Sequence, residues 1–79
     1  MVKKQELVRM LVEALSFEEV TVSGRLVTFL REVKGSGMDE TTRSEIERKL
    51  GRMLEESIRH AKMLTNMVKR VMKSEQGEF

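Results

Sequence analysis

From Ser44 to Lys73 helix formers dominate, and the whole chain lacks proline. At 1.5 Å per residue that run makes a helix about 45 Å long. A chain of 79 residues cannot cover such a rod on all sides, because a domain of this size builds only a marginal core even when it is compact. Such a helix cannot be satisfied by one globule of this size alone. Cysteine is absent, so no disulfide or thiolate-bound metal substitutes for a missing core.

One clear break divides the chain. Lys34-Gly35-Ser36-Gly37-Met38 sets two glycines around a serine, a pattern that ends a helix and permits a turn. The expected fold is all-α: a helical hairpin or three-helix arrangement in a single domain over 1–79. Its first arm covers about 3–34, with a split allowed near 16–24. A turn follows at 35–38, then the long helix over about 39–74, then a frayed tail at 75–79.

In the first arm, Leu7, Val8, Met10, Leu11, Val12, Ala14 and Leu15 are apolar, while Gln5, Glu6, Arg9 and Glu13 are not. That spacing describes a helix with a wide apolar face. Ser16 and Glu19 have the capping-box form, which would start a new helix at Phe17. Val20 to Phe29 is rich in β-branched residues around Ser23-Gly24 and suits a small β-hairpin. Its helical flanks suit a helix or a kinked helix instead, because a lone hairpin is barely stable. Leu26, Phe29, Leu30 and Val33 then form a further stripe. Asp39, Thr41, Thr42 or Ser44 can cap the long helix, and Ser44 with Glu47 makes a second capping box.

Written as heptads with Leu50 at a, the long helix places Leu50, Ser57, Leu64 and Val71 at a, and Ile46, Met53, His60 and Met67 at d. Leu54, Ala61 and Val68 fall at e, and Gly51, Ile58, Thr65 and Met72 at b. The apolar arc is wider than a two-stranded coiled coil needs and suits a helix with neighbours on two sides. Leaving part of it bare would expose a patch that soluble monomers avoid. A homodimer closing a four-helix bundle is therefore expected, with higher even oligomers as the fallback. Its interface is assigned to Leu50, Met53, Leu54, Ser57, Ala61, Leu64, Met67, Val68 and Val71. Gly51, Ser57 and Ala61 would let another helix approach closely. Gly51 costs about 1 kcal/mol relative to Ala in a helix interior. Met53, Met63, Met67 and Met72 read either as core filling or as an adaptable surface for a partner protein.

The net charge is only +2, but it is unevenly spread. Asp39 to Glu56 holds six acidic and four basic residues, a net of −2, whereas Ser57 to Ser74 holds Arg59, Lys62, Lys69, Arg70 and Lys73 with no acid. This order complements the helix dipole. It equally suits antiparallel pairing of two copies. The same five residues are the candidates for a nucleic-acid-binding accessory role through phosphate contacts. No aromatic side chain interleaves them for base stacking, and no helix-turn-helix or zinc-finger pattern is present.

His60 is the only histidine, one turn after Glu56. The stretch Glu55-Glu56-Ser57-Ile58-Arg59-His60-Ala61 resembles the ligand helix of ferritin-like di-iron proteins, which carries Glu-x-x-His. Ser57 stands where that motif has Glu, and Glu56 precedes His60 by four residues. The resemblance implies a metal-binding helical bundle formed by oligomerisation, with Glu56 and His60 as ligands and a further carboxylate from Glu6, Glu13, Glu18, Glu19 or Glu32. The alternative is a histidine at the edge of a helix interface, paired with Glu56. No cofactor is implied otherwise.

Enzyme chemistry has little to build on: no cysteine nucleophile, one histidine, no nucleophile elbow and no phosphate-cradling loop. The longest uncharged stretch, Met63 to Val68, is far short of the roughly 20 apolar residues of a membrane span. Glu6 and Arg9 sit where a signal peptide needs an apolar run. A cytoplasmic location is expected. One Asn and two Gln against many Lys, Arg and Glu is a composition expected of a thermophile protein.

Overall fold

The computed structural model describes residues 1–79. Helix accounts for 82% of them, and no strand forms. Helix α1 (Lys4–Ser16), a π-helical segment (Phe17–Ser23) and α2 (Gly24–Lys34) follow one another without a break. They make one arm of a hairpin, and α3 (Glu40–Lys73) returns along it. The rod measures 56 × 17 × 14 Å.

The reversal rests on local chemistry. Ser36 donates its hydroxyl to the Val33 carbonyl at 2.6 Å, and its N–H reaches the same oxygen at 3.2 Å. No residue in the chain has positive φ, so the Gly-Ser-Gly turn works without a left-handed residue. Asp39 is extended (φ −61°, ψ 153°) and accepts the Thr42 N–H at 3.1 Å. It is the side-chain cap of α3. That backbone bond, with the Thr42 hydroxyl, holds the Asp39 carboxyl below its usual 3.8. The two capping boxes do not form. Ser16 is itself helical, with no capping bond from its side chain, and Ser44 lies inside α3.

Residues 20–29 are helical, not a β-hairpin. Their β-branched composition loses to the apolar faces on either side, which need one continuous surface against α3. The split allowed near 16–24 appears as a π-helical segment, not as a break. Glu18, Val22, Leu26 and Leu30 all point inward to some degree, each four residues after the last. Four-residue steps drift around an ordinary helix, and the wider i→i+5 turn takes up the extra residues while keeping the inward line.

The seam on α3 runs through Leu50, Leu54, Ser57, Ala61, Leu64, Val68 and Val71, all buried or half-buried. Full burial is confined to Leu26, Ser57 and Ala61. The close approach expected of small residues occurs at Ser57 and Ala61. At Gly51 it does not, since a Cβ there would meet nothing within 4 Å.

The end of the chain turns back to the start of α1. Val2 N–H donates to the Phe79 carbonyl at 2.9 Å, Phe79 N–H to the Val2 carbonyl at 2.8 Å, and Lys4 N–H to the Gly77 carbonyl at 2.9 Å. Lys4 Nζ also reaches the Ser74 carbonyl at 2.6 Å. The tail thereby takes up donors at the start of α1 that have no partner within the helix.

Candidate association surface

The first arm divides the wide apolar arc of α3. It covers heptad positions a and e and leaves most of d, with Ile58 and Met72 of b, outside. Seven of the nine residues expected at an interface between chains therefore lie in the intrachain seam: Leu50, Leu54, Ser57, Ala61, Leu64, Val68 and Val71. Met53 and Met67 stay outside, at 53% and 46% exposure. An antiparallel pair of helices has only one line of contact, so residues on both sides of that line remain bare.

Two apolar flanks result. One carries Met53, Met63 and Met67, with His60 among them; the other carries Ile58 and Met72. Glu18 shares a concavity with His60, Met63, Leu64 and Met67. Glu19 and Ser23 line the opposite groove with Ile58, Lys62 and Lys69. Helical phase, at 3.6 residues per turn, puts Met10, Phe17 and Phe29 on the Glu18 side and Val12 and Val27 on the other. All five are exposed.

Of the five basic candidates, Lys62 and Lys69 meet in one groove. Arg59, Arg70 and Lys73 are exposed and do not line it. None of the five makes an ion pair. The hairpin brings the basic half of α3 alongside Lys3, Lys4 and Arg9. Residues 1–17 and 57–79, at one end of the rod, hold eight basic and four acidic groups, whereas 18–56 hold seven and nine.

His60 does not pair with Glu56, which is exposed and makes no ion pair. The imidazole Nδ1 lies 3.4 Å from Oε1 of Glu18, whose side chain is only 17% exposed. Hairpin register decides this, because α3 turns Glu56 outward while the π-helical segment turns Glu18 toward the seam. No cluster of three or more His, Cys, Asp or Glu side chains exists in the chain, so one hairpin does not assemble the ligand set that the ferritin-like resemblance implies. Sequence reasoning also missed the hydroxyl pair in the seam. Ser57 Oγ lies 2.7 Å from Ser23 Oγ and donates to the Glu18 carbonyl at 3.4 Å. Two serines 34 residues apart carry no signal of pairing before the register is known.

No helix is long and apolar enough to cross a membrane. Comparison with protein-family models, curated proteins and solved structures finds no match.

Proposed function

We propose that the protein is a self-associating helical module, a hairpin that pairs with a second copy into a four-helix bundle and serves as a structural or protein-interaction element. One observation carries this reading: only three of 79 residues are buried, while thirteen large apolar side chains are exposed. The flank with Met10, Phe17, Phe29, Met53, Met63 and Met67 is the broader one and holds two of the three phenylalanines. An exposed flank rich in large apolar side chains marks an interaction site. The uneven charge favours an antiparallel pair, with the acidic end of one rod beside the basic end of the other.

Multi-angle light scattering tests the reading. The expected mass at micromolar concentration is twice the 9.2 kDa of the chain. Phe17→Lys with Met53→Lys should return the monomer without loss of helix, because both positions are open to solvent in the hairpin. A wild-type monomer would overturn the proposal.

A second reading, a nucleic-acid-binding accessory role, draws on Lys62 and Lys69 sharing a groove at the end of the rod that also carries Lys3, Lys4 and Arg9. It requires retention on generic DNA or RNA that falls steeply with salt. Retention unchanged by Lys62→Gln with Lys69→Gln would remove it.

A further inference from the structure

We propose that His60, Met63 and Met67 form a site for a soft monovalent cation, copper(I) in particular. The three residues stand at i, i+3 and i+7 on α3, within one narrow strip of its surface. They border a single concavity together with Glu18 and Leu64. Met63 and Met67 are four residues apart, so their Cβ atoms are about 5–6 Å from each other. Flexible thioether side chains bring both sulfurs to one ion across that gap.

One ring nitrogen of the histidine already has a neighbour. The Glu18 carboxylate beside Nδ1 favours the tautomer with its proton on that nitrogen, which leaves the Nε2 lone pair free. A carboxylate behind a ligating imidazole is the usual support of a histidine ligand. The donor set is then one imidazole and two thioethers, neutral and soft. Such ligands select copper(I), whereas magnesium, calcium and manganese prefer oxygen donors. Hairpin packing does not account for these methionines, since Met63 and Met67 are 56% and 46% exposed. All three donors come from one chain, and Met63 and Met67 also lie on the flank assigned above to self-association.

The full-length protein should be titrated with copper(I), kept reduced by ascorbate under nitrogen, in competition with the chromogenic chelator bicinchoninate. A single copper(I) per chain should be withdrawn from the coloured complex. His60→Ala, Met63→Leu and Met67→Leu should each weaken binding by about tenfold or more, the scale on which metal affinity responds to a lost supporting interaction. Met53→Leu and Met72→Leu, at exposed methionines of the same helix, should leave it unchanged. Leucine nearly conserves methionine volume, so fold and subunit number should persist in the leucine variants, and loss of copper is there separable from loss of association. In a parallel titration with silver(I), the methyl resonances of Met63 and Met67 should move and those of Met53 and Met72 should not. No competition with the chelator, equal affinity in the Met63→Leu and Met67→Leu variants, or movement of all the methionine signals alike would overturn the assignment.

Discussion

The hydroxyl pair at the middle of the seam offers the sharpest test of the hairpin register. Ser57 is 2% exposed, and its Oγ meets Ser23 Oγ at 2.7 Å and the Glu18 carbonyl at 3.4 Å. Ser57→Ala deletes one partner and leaves the Ser23 hydroxyl to find another. A net hydrogen bond contributes about 0.5–1.5 kcal/mol, and an abandoned buried partner adds to that cost. Ser23 is only half-buried, so water relieves part of the penalty, and a total of about 1–2 kcal/mol is expected. Each kcal/mol corresponds to about 4–8 °C in Tm for a domain of this size. Ser23→Ala should cost a similar amount, but the double variant should cost little more than either single one, because both hydroxyls leave together. The coupling in the double-mutant cycle should reach about 1 kcal/mol. Urea and thermal unfolding followed by circular dichroism would measure it, at one fixed protein concentration because association shifts apparent stability. Additivity within about 0.3 kcal/mol would mean that the two serines do not meet, and the register would be wrong.

Two further expectations follow from the same geometry. Val68→Arg places a charge in the half-buried seam; it should destabilise the hairpin itself by about 2–3 kcal/mol, less than a fully buried charge because Arg can reach solvent. Helix content would fall along with subunit number, which separates this variant from Phe17→Lys with Met53→Lys; full helicity in a Val68→Arg monomer would return Val68 to the interface between chains. Asp39 has a lowered pKa in the folded state, so its cap contributes stability above the unfolded value and loses that contribution as pH falls through the folded one. Asp39→Ala should therefore lower Tm at neutral pH and flatten the decline of Tm in acid, and an acid limb as steep as in the wild type would exclude Asp39 as its source.

Helical class and chain reversal were legible because their causes are local. The absence of proline, the spacing of Leu7 to Leu15, and two glycines around Ser36 each act within a few residues. The division of the arc on α3 was not legible, because a face that includes a, d, e and b offers two equivalent seams. Which of them is used depends on the first arm, whose own inward line includes Glu18 and Val22 and passes through a π-helical segment. Such a segment is a backbone hydrogen-bond pattern with no residue signature of its own. The same holds for the tail, where Val2, Lys4, Gly77 and Phe79 are joined through main-chain groups. His60 found Glu18 and not Glu56 because a contact between arms is set by register, while sequence spacing speaks only for one helix.

These elements bear jointly on what the molecule needs. Two of its three fully buried residues, Ser57 and Ala61, are small, and Ser57 faces the π-helical segment through Ser23 and Glu18. The third, Leu26, lies in the first turn of α2, just beyond that segment. Two of the three best-buried positions on the rod are therefore side chains that remove little apolar area from water. Toward both ends the seam residues are larger but only half-buried. Because hydrophobic stabilisation scales with the area removed from water, a seam whose larger side chains on α3 stay half-buried leaves much of the available apolar surface unused. That surface lies on the flanks, where Phe17, Phe29 and the methionines of α3 stay open, and the second hairpin proposed above would bury what the first arm cannot.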